Sequence, residues 1–558
     1  MLKAQWVVNS TTYTLFSALP GSGNANINPL SNLIVAAASG GTAPATLYAT
    51  PAQFASMSAN ISAATATVLN KLQPLLDKYQ ASQDPITGSF SANHTGLDLL
   101  FDNIQVTLTN GAANVSITDV NSGATLLSSS TTAINSALQA QLWGNQDAII
   151  ANDPDIAVDT NGRAIVVWAE QISGFYRIVA RGPLDNTAVI ISSPALNASA
   201  PKISIDGSGN AIAVWVQGNS SNTNSSIWGA RYSTVTGWDA PLQISGSISN
   251  TNNFANVPQI SMDSTGNAVA VWHAVNSSIN TNHFDVYSSR YTAGSDSWST
   301  PAVISSGTNT ASNSHIALNT SGNGMAVWTE GQDDGTTSNG PMDVWTRRYS
   351  SANGWDGTIA KVNSIAGNVA GIYGQTALAV NINGNAVVAW VQGGIRAISF
   401  SPQNGWGTDT LIANHPTISG NCYSPDVAMD ASGNAIAVWQ QQDNISSSFT
   451  FANRFSGGTW STALKISDDT SPFVADTHVR MGAAGNAIAV WYQPDTILNS
   501  SDFYSTVRSN RYTIGNGWGS ATLVSTLLGI DGISSYPVPR IGMNSNGASF
   551  TVWGVDSM

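Results

Sequence analysis

Residues 206–215 read DGSGNAIAVW, and the phrase returns through most of the chain. It appears as DTNGRAIVVW (159–168), DSTGNAVAVW (263–272), NTSGNGMAVW (319–328), NINGNAVVAW (381–390), DASGNAIAVW (430–439), GAAGNAIAVW (482–491) and NSNGASFTVW (544–553). In every copy a glycine precedes a tryptophan by six residues. The eight tryptophans, Trp168, Trp215, Trp272, Trp328, Trp390, Trp439, Trp491 and Trp553, follow one another at intervals of 47 to 62 residues. A period of that length marks stacked units or propeller blades.

The first half of the phrase reads as a tight turn. An Asp or Asn side chain accepts hydrogen bonds from backbone N–H groups just beyond it, and Gly supplies a positive φ. The first position is Asp in four copies (Asp159, Asp206, Asp263, Asp430), Asn in three (Asn319, Asn381, Asn544) and Gly482 in one. Asn replaces Asp as an acceptor but not as a charge. The position therefore reads first as a structural turn, and second as a cation site at some copies. The oxygens do not recur as in an EF-hand loop. In the second half, Ala211, Ala213 and Trp215 face one way and Ile212 and Val214 the other. Both faces are apolar, so the strand is expected to be covered on both sides. Blades packed face to face supply that cover, with the Trp filling the gap between them. Use of these rings as glycan-binding platforms is the alternative.

Each repeat holds four short β-type segments. In the second they are PKISID (201–206), AIAVWVQ (211–217), IWGARYS (227–233) and GWDAPLQIS (237–245), the content of a propeller blade. The third segment repeats an arginine: Arg181, Arg231, Arg290, Arg348, Arg454 and Arg511, with Ser399 in the fifth repeat. In a chain with only 9% charged residues, such arginines call for fixed partners. Each is expected to bond an Asp or a turn carbonyl of its own or the next blade; lining a ligand groove is the alternative. A second series, Trp238, Trp298, Trp355, Trp406, Trp460 and Trp518, marks the fourth strand. WGNQDAIIAN (143–152) parallels WGTDTLIAN (406–414), so a fourth-strand segment precedes the first blade, while the sequence stops after a first and second strand. This predicts an eight-bladed ring closed by strand exchange between the chain ends, or seven blades if one end unit stays outside.

Repeats of the type D-x-x-G-N-A-x-A-V-W, followed by an aromatic-Arg-Tyr strand and a G-W strand, resemble a large set of bacterial secreted and surface β-propeller proteins over about residues 143–558. The resemblance implies an all-β propeller. It does not fix an activity, since relatives of this kind include lectin-like and adhesive proteins.

Residues 1–135 carry no copy of the repeat and read as a small α+β domain preceding a propeller over 136–558. Phe54, Met57, Ile61, Ala64, Val68, Leu72, Leu75 and Tyr79 fall at three- and four-residue steps, predicting one long helix over 51–79, kinked or broken at Pro74. IQVTL (104–108) and NVSIT (114–118) read as a hairpin. The stretches KAQW…YTLFS (3–17), NINPLSNLIVAAASG (26–40), LNKLQPLLDKY (69–79), DPITGSFSANHTGLDLLFDNIQVTL (84–108) and NSGATLL (121–127) look like the N-terminal module of bacterial surface proteins, often lipoproteins. In that family a further domain precedes the phrase like LKA, so the resemblance implies a sequence that begins within the module.

The chain has 558 residues, a net charge of −13 and a pI near 4.6, which disfavours nucleic acid and anionic lipid as partners. A single cysteine, Cys422, excludes an intrachain disulfide and a Cys-based zinc site. The apolar stretch PLSNLIVAAASG (29–40) is too short to span a bilayer, and the first residues lack a secretory pattern. Low charge and scarce cysteine suit an extracellular or cell-surface protein.

Catalytic motifs are hard to find. Glu170 and Glu330 stand two residues after a repeat Trp, where Gln217, Gln392, Gln441 and Gln493 stand elsewhere, so the position reads as a hydrogen bond at a strand end. No sialidase Asp-box, G-x-S-x-G elbow or phosphate loop is present, and the six His show no metal spacing. No enzyme and no cofactor are expected, apart from calcium at GQDDGTTSNGPMD (331–343), where Asp333, Asp334 and Asp343 are candidates. Long polar loops after the second strands gather on one face. They make Asn222, Asn224, His273, His283, Asp285, Asp333, Asp334 and Asp502 candidate ligand contacts. The expectation is a non-catalytic surface or secreted propeller that binds an extracellular glycan or protein. A self-assembling component of a surface layer or filament is one alternative; a glycan hydrolase of sialidase-like architecture is the other.

Overall fold

The repeat phrase folds alike in every copy. In the computed structural model of the chain, the turn glycines Gly162, Gly209, Gly266, Gly322, Gly384, Gly433, Gly485 and Gly547 all have φ between 76° and 89°. Asp206 accepts from the backbone N–H groups of Ser208 and Asn210 at 2.8 and 2.9 Å, and its other oxygen accepts from Asn210 Nδ2 at 2.9 Å. Asp263 and Asp430 are bonded similarly. Where Asn replaces Asp, the backbone bonds persist and the side-chain amide turns outward to the following turn. Asn319 Nδ2 donates to Ile382 O at 3.1 Å, and Asn381 Nδ2 to Asp430 O at 3.2 Å.

The structure describes the chain except for residues 9–10, 20–24, 79–80, 82–83, 89–96, 121–124, 132–150, 184, 186–187, 195, 219–224, 247–256, 277–278, 280–282, 332–341, 366–368, 370–375, 414–421, 445–446, 469–472, 497–502, 505, 525–536 and 556–558. It divides into two compact units, residues 1–147 with 161–163, and residues 148–160 with 164–558.

The larger unit is a succession of antiparallel sheets, propeller-like in arrangement. Among the described residues, eight sheets begin with the strands Ala151–Val158, Asn197–Ile205, Gln259–Met262, Thr310–Leu318, Thr376–Val380, Cys422–Met429, Ala475–Met481 and Pro537–Met543. In each, the second strand carries the repeat Trp. Sheet two shows the pattern: Asn197–Ile205, Ala211–Gly218, Ser225–Ser233, then a fourth strand split into Gly237–Trp238 and Leu242–Gln243. Sheet eight has two described strands, Pro537–Met543 and Ser549–Val555. The segment expected to complete it by exchange, 143–150, lies outside the described residues.

Each first strand lies against the first strand of the next sheet, and Pro537–Met543 lies against both Ala475–Met481 and Ala151–Val158. At that last meeting Gly542 admits a close approach, since a Cβ there would stand 2.8 Å from Val158 Cγ2. Asn544 Nδ2 donates to Asp159 O at 2.9 Å and Thr160 O at 3.2 Å, joining the last turn to the first.

Apolar contacts run between sheets. Ala211, Ala213 and Trp215 of sheet two cluster with Ile165, Val167 and Ile178 of sheet one. Corresponding clusters form around Trp272, Trp328, Trp390, Trp439 and Trp491. These six rings are fully buried, and the two-sided apolar strand is explained by the neighbour on each face. Trp168 and Trp553, in the end sheets, are only half-buried. The fourth-strand Trp packs on the third-strand aromatic in six sheets, as Tyr232 and Trp238 do at 5.3 Å between centroids.

The turn glycines give a direct test. A Cβ on Gly485 would lie 2.9 Å from Asp430 Oδ2 and 2.6 Å from Ile514 Cδ1, at φ 85°. Gly485→Ala is expected to cost about 1–3 kcal/mol from backbone strain and crowding together. Gly515→Ala, at φ 84° with nothing within 4 Å, should show the backbone part alone. Urea denaturation of the two variants checks this; equal losses would mean that the neighbouring turn does not crowd the position.

In the smaller unit the strands Leu2–Val8 and Thr11–Ser17 pair, and the strands Ile104–Thr109, Asn114–Asp119 and Thr125–Ser130 form a second sheet. Pro29–Ala38 is a buried helix, capped by Asn28 and Ser31 with Pro at its start. The helix expected over 51–79 is interrupted at Ser58–Asn60, where Ser58 Oγ bonds Ala55 O at 3.1 Å and the turn tightens to 3₁₀. It then runs unbroken from Ile61 to Lys78, so the break falls earlier than position 74. Among the described residues, no helix is long and apolar enough to cross a membrane.

Candidate functional site

Four residues before the first turn residue, each first strand presents one side chain at the same place. In order these are Asp155, Lys202, Gln259, His315, Ala377, Asp426, His478 and Arg540. Each pairs with the residue just before the second-strand Trp, as Lys202 does with Val214 and Asp426 with Val438. Seven of the eight are polar, while the residue after each of the eight is Ile, Leu or Val. In five sheets the residue two places earlier sits at positive φ: Asp153, Ala200, Asn313, Ser424 and Asp476, all between 49° and 54°. The ladder shifts register there, so a β-bulge re-aims the strand just ahead of the polar side chain. Non-glycine residues in this region are strained, and such strain gathers where function requires a fixed geometry.

The circuit of first strands brings these groups into one electrostatic neighbourhood. Asp426 Oδ2 accepts from Val479 N at 3.1 Å and from Arg480 Nη1 at 3.0 Å, and lies 3.2 Å from His478 Nδ1. Arg540 Nη1 stands 2.6 Å from His478 Nε2. The guanidinium can only donate, so Nε2 accepts and Nδ1–H donates to Asp426. Asp155 Oδ2 accepts from Ile203 N of the next sheet at 2.9 Å. Lys202 feels the charges of Asp155, Arg540, Asp153 and Arg480, and His315 those of Asp426 and Lys202. The side chains of Asp426, His478 and Arg480 are 20%, 24% and 41% exposed, so solvent reaches the cluster.

Burial and the nearby Arg540 charge lower the His478 pKa, against the pull of Asp426. Burial holds His315 down to about 4. Burial also lowers the Lys202 ammonium from its ordinary value, with Asp155 opposing and Arg540 adding to the shift. For Asp426, burial raises the carboxyl, but Arg480 and the His478 hydrogen bond outweigh it and hold the group below the ordinary carboxylate range.

The candidates drawn from the loops fare differently. Asn222, Asn224, Asp333, Asp334 and Asp502 lie outside the described residues. His273, His283 and Asp285 are buried, which corrects their reading as surface loop contacts. The second strand runs to Val275 and the third starts at Phe284, so His273 and Asp285 are strand residues. Asp285 accepts from Asn276 Nδ2 and Ser305 Oγ at 2.8 and 2.9 Å, with His283 Nε2 3.5 Å away. Asp343 takes Lys361 Nζ on one oxygen and Asn363 Nδ2 on the other, both at 2.8 Å. Among the described residues, no three His, Cys, Asp or Glu side chains are grouped to hold a metal ion.

Glu170 and Glu330 accept the indole N–H of Trp168 and Trp328 at 2.9 and 2.7 Å, as Gln217, Gln392, Gln441 and Gln493 do for their own Trp. The repeat arginines are less embedded than expected. Arg231 and Arg348 reach Asp239 and Asp356 of their own sheets, with the guanidinium-bearing side chains 33% and 54% exposed. Arg348 and Arg454 also lie over Phe400 and Tyr512 of the next sheet, at 5.7 and 5.9 Å from the ring centroids. Exposed pairs of this kind contribute little to stability. Among the described residues, Arg290 and Arg511 form no ion pair with a carboxylate.

His273 offers a measurable pH effect. Its ring is buried, packs edge-on to Phe284 at 5.9 Å, and burial lowers its pKa to about 4. The unfolded chain takes up this proton first, near pH 6.5. Stability should therefore fall as pH drops from 6.5 toward 4, by up to about 1.4 kcal/mol per pH unit. His273→Leu should flatten that limb of a urea-midpoint against pH curve; an unchanged slope would assign the limb to other groups.

No family model and no curated relative matches the chain. Among solved structures it is similar to a puromycin hydrolase (TM-score 0.39, 12% identity, 75% of this chain and 59% of that one). It is also similar to a sialidase from Streptococcus pneumoniae (TM-score 0.34, 9% identity, 74% and 90%). A third is a protein of unknown function from Dyadobacter fermentans (TM-score 0.34, 10% identity, 57% and 96%). The chain thus spans about three fifths of the hydrolase. These are likenesses of fold. The hydrolase and the sialidase are enzymes, so the expectation that the chain is no enzyme does not stand, and the likeness itself assigns this chain no activity. That expectation rested on missing linear motifs. Side chains that come together from strands tens of residues apart, as Asp426 and His478 do, leave no such motif.

Proposed function

We propose that this protein is an eight-bladed, ring-closed β-propeller, displayed at the cell surface or secreted, that binds a glycan through the first strands of its sheets, the inner strands of the ring. The observation that carries the reading is the row of polar side chains on an otherwise constant scaffold: Asp155, Lys202, Gln259, His315, Asp426, His478 and Arg540. Repeated architecture with a varied residue at one fixed place is how a ring acquires a specific, asymmetric ligand surface. Carboxylates, an amide and cations side by side suit a polyhydroxylated ligand, since sugar hydroxyls both donate and accept. The passage from the last sheet to the first, with Asn544 bonded to Asp159, supports eight blades and a closed ring. The resemblance of residues 1–135 to a surface-protein module supports the location.

Cleavage of the bound glycan is a second reading, favoured by the carboxylates of Asp155 and Asp426 within the same cluster. A glycan array with purified protein, size-exclusion profiles and product analysis of any bound oligosaccharide test both. Binding to a defined glycan class that Asp155→Asn weakens supports the proposal, and released sugar assigns the second reading. Absence of binding together with a high-order assembly peak would overturn it in favour of a structural component.

A further inference from the structure

The polar row contains two cations that its carboxylates leave unpaired. Among the described residues, the ion pairs of the inner strands are those of Asp426 with Arg480 and His478. Among the described residues, Lys202 and Arg540 form no ion pair, although Lys202 stands in the charge field of Asp155 and of Arg540. Arg540 Nη1 bonds His478 Nε2 and its own Pro539 O, and among the described residues Nε and Nη2 form no hydrogen bond. The two cations sit on sheets two and eight, on either side of sheet one, at the same register position. The chain as a whole is acidic, at −13 with only 19 Lys and Arg in 558 residues. Lys202, Arg480 and Arg540, three of those 19, are gathered in one place beside Asp153, Asp155 and Asp426. Partly desolvated cations held near one another repel, and an anion between them relieves that repulsion.

We infer that the glycan bound by the inner strands is acidic, and that its sugar carboxylate is received between Lys202 and Arg540. This rests on the glycan-binding reading above. A guanidinium offers a carboxylate two parallel N–H donors, and the ammonium supplies a compact charge on the other side. Asp155 has one oxygen committed to Ile203 N and the other available to a sugar hydroxyl, and Gln259 on the next sheet offers both a donor and an acceptor. The neighbouring Asp426–His478 pair holds Arg540 from behind, so Arg540 is directed by groups that do not themselves touch the carboxylate.

The experiment compares oligosaccharides containing uronic acids with the same oligosaccharides after reduction of the carboxyl to a primary alcohol, by calorimetry or surface binding. Wild-type protein should bind the acidic form about tenfold or more tightly than the reduced form. Lys202→Gln and Arg540→Gln should each abolish most of that preference, and Lys202→Arg should retain it. Equal binding of acidic and reduced forms overturns this inference while leaving the glycan reading intact. A preference for the acidic form that survives both substitutions also overturns it, because the carboxylate is then held elsewhere. No binding to either form, or to neutral glycans on the array, overturns the glycan reading and this inference with it. Should Arg540→Gln fail to fold, the wild-type comparison and Lys202→Gln still decide.

Discussion

Trp215→Ala is expected to destabilise the protein by about 3–5 kcal/mol, the range for removing a large, fully buried aromatic side chain. The ring is 0% exposed and lies between sheets one and two, against Val167, Ile178 and Ala198. Its N–H is also the start of a chain of bonds. Trp215 Nε1 donates to Gln217 Oε1 at 2.9 Å, and Gln217 Nε2 donates to Ser193 O at 3.1 Å, in the segment arriving from sheet one. The indole thus fills the gap between sheets and also fixes the group that ties the preceding sheet's exit. Substitution by alanine removes both, and the neighbours cannot close a space of that size while their backbones are held by ladders. Trp215→Phe separates the two effects. It keeps most of the apolar volume and leaves Gln217 short of its indole donor, a loss of about 1–3 kcal/mol beyond the change in volume. Trp272→Phe is the control. Trp272 is equally buried, but the residue two places on is Ala274 and, among the described residues, its Nε1 has no partner. Replacing it should relieve an unpaired buried donor, so Trp272→Phe should be the milder of the two. Urea midpoints and slopes for the four proteins check the ordering; a larger loss at position 272 would refute the role given to the Gln.

What the sequence made legible follows from what the repeat holds constant. The turn, the two-sided strand and the Trp–aromatic pairs recur because every sheet meets the same neighbours, and eight copies make the constraint visible. The inner-strand site was hidden for the opposite reason. Asp, Lys, Gln, His, Ala, Asp, His and Arg share no chemistry, so no motif search gathers them. They share only a place, in PDI, PKI, PQI, SHI, TAL, PDV, THV and PRI, four residues before the turn. A varied, mostly polar residue directly before a constant Ile, Leu or Val was the available signal. His273, His283 and Asp285 misled in turn, because a polar run beside Asn and Ser reads as a loop. Here strand pairing extends far enough to bury it, and Ser305 and Asn276 satisfy the carboxylate. The helix break at Ser58–Asn60 was missed because apolar periodicity continues across it, while the side chain that tightens the turn is a single serine.

The choice between Asp and Asn in the turn carries the second large effect. Asp206, Asp263 and Asp430 spend their second oxygen on the Asn four residues on. Asn544 has Ala548 at that place and turns its amide to Asp159 O and Thr160 O instead. Those bonds join residues 385 apart in sequence, where the last sheet meets the first. Asn544→Asp keeps the acceptor oxygen that takes the N–H groups of Asn546 and Ala548 at 3.0 and 2.9 Å. It replaces the donor with an oxygen facing two carbonyls at a site only 6% exposed. Two lost bonds and the repulsion that follows are expected to cost about 2–5 kcal/mol. The same isosteric exchange at Asn323, whose side chain only accepts from Ser351 N at 3.1 Å, should be nearly neutral. The loss at position 544 should also depend on pH. Burial and the facing carbonyls raise the new carboxyl's folded pKa above its unfolded value near 4, so the folded state holds the proton more tightly. Stability of the variant relative to wild type should therefore recover as pH falls below about 5, where the protonated carboxyl donates one bond again, and worsen as pH rises. Denaturation of both proteins between pH 4 and 8 measures this. A variant as stable as wild type at pH 7 would mean that the contact between the last and first turns contributes nothing to stability, and the proposal of a closed ring would lose its main support.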